Sequence, residues 1–355
     1  MQKFTCWAQF VTMTFAQLRQ RDSLRHITTG LSVHLKKLYH LGLPVVKRST
    51  LSEANSKRDW RIYQDLFYDL LSRCNQLTKD KLNFPKEVYI LDATLIQLCH
   101  SLFNWAKYRT TKGAVKMHTL LNLETYLPEF VFLTDGKVGD ITAARDIPIP
   151  PDSILLMDRA YIDYEWLYSL HCDNVTFIVR AKKDMSYETI GQHEVPENSD
   201  ILADEDIIVP WRADRRSDKY DNYPDYLRLV TIVDTETGEV VRFFTNNTDY
   251  SARTIALLYR KRWEVETFFR FIKQHLKIKS FLGTSQNAVF TQIWIAFILY
   301  LLVWFLKEQT RFPNILKLFR LLNEAAFERI SMIDILAIDS IKEAIPPPHL
   351  QLNLF

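Results

Sequence analysis

VYILDATLIQL, residues 88–98, is a run of aliphatic, aromatic and β-branched side chains with a single carboxylate, Asp92, in its middle. Such a run predicts a largely buried strand. KGAVKMHTLLNLE (112–124) and FVFLTDGKV (130–138) predict two more strands, each bounded by turn residues. SILLMDRAY (153–161) predicts a short buried strand that closes on Asp158. A helical stretch at 163–172 follows, and then NVTFIVRAK (174–182), another strand. A carboxylate within or at the end of an apolar strand costs several kcal/mol (order of magnitude) unless it is paired or metal-bound. Taken singly, Asp92 and Asp158 are read more simply as a capping or ion-paired Asp. On adjacent central strands of one sheet they would meet, and two close carboxylates need a cation. Mg²⁺ is the hard ion that suits an oxygen-only site.

Three strands followed by strand–helix–strand is the order of a ribonuclease H-like α/β core, with a mixed five-stranded sheet and flanking helices. Before that core, residues 1–83 have apolar positions at helical spacing, interrupted by Gly42 and Pro44. After it, residues 184–246 carry β-like pieces at 205–211 and 226–246, the second a hairpin around Thr235–Gly238. Helices are expected at 251–279, 287–308 and 315–335, with Pro346–Pro348 opening a tail.

The net charge of +3 says little, but its distribution says more. Residues 1–83 carry 14 Lys/Arg against 6 Asp/Glu, residues 184–240 carry 5 against 15, and residues 251–279 carry 8 against 2. Basic blocks on either side of an acidic one suit a polyanion such as DNA, and equally suit solvated helix faces. Cys6, Cys74, Cys99 and Cys172 are widely spaced with no CxxC pair, which reads as reduced thiols of a cytosolic protein. Met1–Leu18 has no signal-peptide pattern. AVFTQIWIAFILYLLVWFL (288–306) is long enough to span a bilayer, yet it stands alone and contains Thr291 and Gln292. A buried core helix is the expected reading, with a single-span membrane protein as the rival.

At about 100° per residue, a continuous helix over 251–279 would align Tyr259, Arg262, Glu266, Arg270, Lys273 and Lys277 in one stripe. Leu257, Leu258, Val265, Phe268, Phe269, Ile272 and Leu276 would face the core. One carboxylate set in a row of cations is either an exposed face with i,i+4 ion pairs or a surface that grips an anionic backbone.

YRKRWEVETFFRFIK (259–273) resembles the YREK signature of bacterial insertion-sequence DDE transposases of the insertion-sequence-four, cut-and-paste type: Tyr, two residues, Arg, three, Glu, six, Lys. Tyr259, Arg262, Glu266 and Lys273 meet every spacing. LDATLI (91–96) is similar to that family's first-Asp block. MDRAYIDYEWL followed by FIVRAK (157–182) is similar to its second, with Ala160 where Gly is usual. The family places a mostly β insertion between the second Asp and the Glu, which would account for the spacing of 108 positions from Asp158 to Glu266.

The resemblance implies a helical basic DNA-binding domain over 1–83 and a catalytic domain over 84–183, resumed at 247–310 with the Glu-bearing helix. The acidic β insertion would span 184–246, and a helical segment with its tail 311–355. It implies a cytoplasmic, nucleoid-associated DNA transposase that cleaves transposon ends and joins them to target DNA. Asp92, Asp158 and Glu266 would hold two Mg²⁺, with Mn²⁺ as a substitute. Tyr259, Arg262 and Lys273 would grip phosphates, with Arg270 beside them. Trp211 is the candidate to stack a flipped base. Lys116 and His118, on the second strand near the expected site, could approach DNA, but facing solvent is the simpler expectation. The partners implied are terminal inverted repeats, target DNA and a second copy in a synaptic dimer. The rival functions are a catalytically dead DNA-binding regulator and a nuclease that cleaves without joining.

Overall fold

Helical periodicity in the basic N-terminal stretch produces α1 (Cys6–Leu18), α2 (Leu24–Val33), α3 (Leu35–Leu38), α4 (Arg48–Lys57) and α5 (Arg61–Gln76). Thr5 caps α1 by accepting from the Ala8 N–H at 3.1 Å, and Ser23 caps α2 by accepting from His26 at 3.2 Å. Gly42, with φ +67°, supplies the left-handed turn that ends the segment after α3. The structure is a computed structural model. It describes residues 4–78, 86–99, 101–109, 112–197, 199–210, 212–213, 220–221, 223–234, 237–278 and 280–325. Two compact units result: residues 1–74 with 271–355, and residues 75–270.

The second unit is built on the sheet that begins with β1 (Val88–Leu98). Then come β2 (Lys107–Arg109), β3 (Lys112–Asn122), β4 (Pro128–Asp135), α6 (Asp140–Ala144), β5 (Ile154–Met157), α7 (Tyr164–Cys172) and β6 (Thr176–Arg180). The core order is β4-β3-β1-β5-β6. The first three strands are antiparallel; β1, β5 and β6 run parallel. This is the expected ribonuclease H-like arrangement of a mixed sheet. One face carries Tyr89, Leu91, Leu155, Met157, Phe177 and Val179, packed with Trp166, Leu167 and Leu170 of α7.

The acidic segment extends this sheet. β7 (Glu188–Gln192), β8 (Ile201–Ile208), β11 (Leu227–Val233) and β12 (Val240–Thr245) continue the order as β6-β12-β11-β8-β7. Phe243, Phe244 and Thr245 pair antiparallel with β6. The short pair β9 (Arg212–Ala213) and β10 (Tyr220–Asp221) forms a separate ribbon. Gly238, at φ +71°, lies in the turn between β11 and β12. Trp211 lies outside the described residues.

The single helix expected over 251–279 is two: α8 (Ala252–Lys261) and α9 (Glu264–His275). Between them the backbone tightens. Arg262 N–H donates to Tyr259 O at 2.9 Å, Val265 to Arg262 O at 3.2 Å and Glu266 to Trp263 O at 3.1 Å, all i→i+3 bonds. Tightening resets the helical phase. α8 buries Ile255, Ala256, Leu258 and Tyr259, whereas α9 buries Val265, Phe268, Phe269 and Ile272. The expected stripe is therefore split: Tyr259 is buried, Leu257 is 50% exposed, and Trp263 at the break is 61% exposed. On the sheet face opposite α7, Phe243 meets the Tyr259 ring at 4.4 Å between centroids.

In the first unit the apolar run 288–306 is the core of α10 (Gln286–Thr310), followed by α11 (Ile315–Ala325). The helix is long and apolar enough to cross a membrane, and most of it is buried inside the protein. Gln292, 1% exposed, accepts from Leu282 N–H and donates to Ser280 O at 2.9 Å, so its amide is satisfied in the core. Trp60 stacks on Trp294 at 6.4 Å, and α1 and α4 also pack on α10. Lys277, expected on the cationic stripe, is buried and donates to Gln20 O at 2.9 Å and to Asp22. The expected tail and the end of the 315–335 helix lie outside the described residues.

Candidate active site

In the parallel register of β1 and β5, Leu91 pairs with Met157. Asp92 and Asp158 each follow one position later, so they stand side by side where the parallel pairing stops, Asp92 within β1 and Asp158 just past the end of β5, on backbones that run about 4.8 Å apart. Side chains alternate across a strand. Leu91 and Met157 enter the core face, and the two carboxylates emerge on the other. β1 is fully buried from Val88 to Leu91 and opens at Asp92. Asp92 Oδ1 accepts from the Ala93 N–H at 2.7 Å. Asp158 Oδ1 accepts from the Arg159 N–H at 2.7 Å and caps the single turn Arg159–Tyr161. α6 packs on that turn.

The break between α8 and α9 brings the remaining groups. Arg262 Nη1 donates to Asp92 Oδ2 at 3.0 Å, with side chains 12% and 14% exposed. Its guanidinium also lies over the Tyr259 ring, 5.8 Å from the centroid. Glu266 sits in the first turn of α9, where the helix N-terminus favours a carboxylate. Burial pushes the Asp92 carboxyl up to about 6. Arg262 and the Ala93 N–H oppose that shift, while the negative charges of Glu266 and Asp158 add to it. The charges of Glu266 and Asp158 thus both reach Asp92. Burial also pushes the Tyr259 hydroxyl up to about 12.

An oxygen-only donor set of this kind suits a hard divalent ion in its chemistry. As the side chains stand, no three acidic, His or Cys groups among the described residues converge closely enough to hold one. The cation beside Asp92 is Arg262.

Residues 83–302 match the family described as the Transposase DDE domain, well over half of the chain. The chain belongs to that family. Residues 1–44 of this DDE transposase also match a domain of unknown function, DUF4372. A Geobacillus stearothermophilus protein named as the transposase of insertion sequence element IS5377 is 30% identical over 303 residues, covering 83% of this chain and 75% of the relative. A Sinorhizobium fredii protein named as transposase y4zB is 30% identical over 302 residues, covering 84% and 80%. Among solved structures, a piggyBac transposase synaptic complex with hairpin DNA gives a TM-score of 0.45 at 12% identity, covering 96% of this chain and 76% of that one. The expected bacterial insertion-sequence DDE transposase is borne out by the family and the relatives.

Arg270 is exposed on α9, and Lys273 lies seven residues beyond Glu266 on the same helix. Lys116 and His118 do not face solvent. Lys116 Nζ donates to Val138 O at 2.8 Å and pairs with Asp140 at 3.1 Å; His118 is 0% exposed and bonds Thr134 Oγ1 through Nε2 at 3.0 Å. β4 and α6 cover them, which a single strand's alternation cannot reveal. Tyr161 and Asp140 went unread in the sequence. Tyr161 is 1% exposed and its hydroxyl has no hydrogen-bond partner among the described residues. Burial holds that hydroxyl well above its ordinary value, and Asp92, Asp140 and Asp158 reinforce the shift. Its sequence signal is its place at the end of the Asp158-Arg159-Ala160-Tyr161 run.

Burial lowers the His118 imidazole from 6.5 to about 4; Lys116 lowers it further and Asp140 opposes. A depressed folded value stabilises the fold above the unfolded value and loses that stability as pH falls from 6.5 towards 4. At about 1.4 kcal/mol per unit, the loss approaches roughly 3 kcal/mol. His118→Gln is expected to flatten the fall in Tm across that window, measured by thermal melts in a pH series. A His118→Gln curve as steep as the wild type's would show that another group titrates.

Proposed function

We propose that this chain performs cut-and-paste DNA transposition: it binds transposon terminal inverted repeats, cleaves phosphodiester bonds there and joins the ends to target DNA. The observation that carries the reading is the register that sets Asp92 beside Asp158, with Glu266 within electrostatic reach on α9. The residues that would hold divalent metal are these three, each offering carboxylate oxygens. Bound there as a pair, Mg²⁺ ions (or Mn²⁺ in their place) supply Lewis acidity to the attacking hydroxyl and to the leaving oxygen.

The chain's own side chains do the rest. Arg262 offers a planar fork to a phosphate and Lys273 a point charge, with Arg270 exposed on the same helix. Tyr259, buried against Phe243, sets the floor under Arg262. Residues 23–52 contain five Lys/Arg (Arg25, Lys36, Lys37, Lys47, Arg48) and no Asp or Glu. That fits an N-terminal helical region that tracks the DNA backbone. Two paired ends imply a homodimer on DNA, and DNA as substrate places the protein at the nucleoid.

The test is direct. The purified chain, given linear DNA carrying its gene and flanks in Mg²⁺, should nick at short inverted repeats and then join the freed 3′ ends to a second DNA. Binding of the repeats without any nick would make the chain a DNA-binding regulator instead. Nicking without joining would make it a nuclease.

A further inference from the structure

We infer that Arg262 is a built-in counter-ion of Asp92 and must leave it before a divalent cation can be held there, so that guanidinium and cation compete for one carboxylate. The inference rests on the metal-binding reading of Asp92, Asp158 and Glu266 given above.

Both oxygens of Asp92 are engaged, Oδ1 by the Ala93 N–H at 2.7 Å and Oδ2 by Arg262 Nη1 at 3.0 Å. The pair is poorly exposed, 12% for Arg262 and 14% for Asp92, so water screens its attraction weakly. A carboxylate left alone at that depth would be costly; Arg262 meets that cost in the resting protein. A divalent ion brought to the same carboxylate adds like charge beside the guanidinium, and the two cannot share the position without repulsion.

The surroundings show how the guanidinium can withdraw. Arg262 sits at the break between α8 and α9, where i→i+3 bonds replace the regular helix, and its side chain projects from that turn. The face of Tyr259 already lies 5.8 Å from the guanidinium carbon and gives it a second resting place. Trp263, next in the chain, is 61% exposed, so the break opens to solvent, the side from which a phosphate approaches.

The test measures Mn²⁺ binding to the full chain without DNA at neutral pH, by electron paramagnetic resonance of free Mn²⁺. Wild type, R262Q, R262K and D92N are compared. R262Q is expected to bind Mn²⁺ about tenfold more tightly than wild type, within the usual range of coupling between two ligands of one group. R262K, which keeps the charge but not the fork, should fall between them, and D92N should lose the site. Thermal melts give a second readout. Without metal, R262Q should melt below wild type, and Mn²⁺ should raise its Tm by more than it raises that of wild type. Equal or weaker Mn²⁺ binding by R262Q overturns the competition while leaving the metal site intact. If no protein binds Mn²⁺ at a site that D92N removes, the metal-binding reading itself fails and this inference with it.

Discussion

Glu266→Gln is expected to slow end nicking in Mg²⁺ by about 10²–10³-fold, the scale of removing one preorganised charge-stabilising group. The substitution keeps shape and removes only a charge. Glu266 is half-buried in the first turn of α9, so loss of its favourable position at the helix N-terminus costs the fold only about 0.3–1 kcal/mol. Folding and rate therefore separate cleanly: the melt should barely move while nicking collapses. The pH profile gives an independent reading. Asp92 must be ionised to hold a cation, and burial first, with Glu266 and Asp158 adding to it, sets its carboxyl at about 6. Wild-type nicking should fall as pH drops through that value. With the Glu266 charge gone, the residual activity should fall at a lower pH. A variant that nicks at the wild-type rate would remove Glu266 from the chemistry. Asp158→Asn added to Glu266→Gln should cost little more than either alone, because groups that act as one unit are not additive.

The strands around Asp92 were legible because their signal is local. β1 fills Val88–Leu98 as expected, since an apolar β-branched run can satisfy itself in few other ways. The order of strands then fixed the central sheet. The break after Lys261 was not legible: the charged and apolar residues of 251–279 fit one straight helix well, and only the i→i+3 turn at Arg262 and Trp263 shifts the phase. That shift buries Tyr259 and turns Arg262 onto Asp92, so the group read as a phosphate contact is an ion-pair partner in the resting protein. Continuation of the sheet through β12, β11 and β8 was hidden for another reason. Pairing of Phe243–Thr245 with β6 joins segments more than sixty residues apart, and periodicity carries no information on such partners.

The acidic segment holds the second large effect. Its composition suggests solvated carboxylates, yet Asp204 on β8 is 4% exposed and Arg228 on β11 is 6% exposed. Arg228 Nε and Nη2 donate to Asp204 Oδ1 and Oδ2 at 2.8 and 2.7 Å, a two-pronged pair. Arg228 Nη1 also donates to Tyr250 O at 2.5 Å, just before α8 begins at Ala252. One guanidinium thus ties the added strands to the start of α8, the helix that ends at Lys261 just before Arg262. Asp204→Ala strands that cation in a dry place and is expected to destabilise the unit by about 3–5 kcal/mol. For a unit of residues 75–270 this lowers Tm by roughly 10 °C. Replacing both partners by apolar residues of similar size, Asp204→Leu with Arg228→Met, should recover most of the loss, since no charge is left buried. It would not restore the tether to Tyr250, so nicking should remain impaired in the double variant while Tm returns. A drop below about 2 °C for Asp204→Ala would mean that water reaches Arg228 and the pair holds little. Recovery of both Tm and nicking in the double variant would mean that the start of α8 is positioned without it.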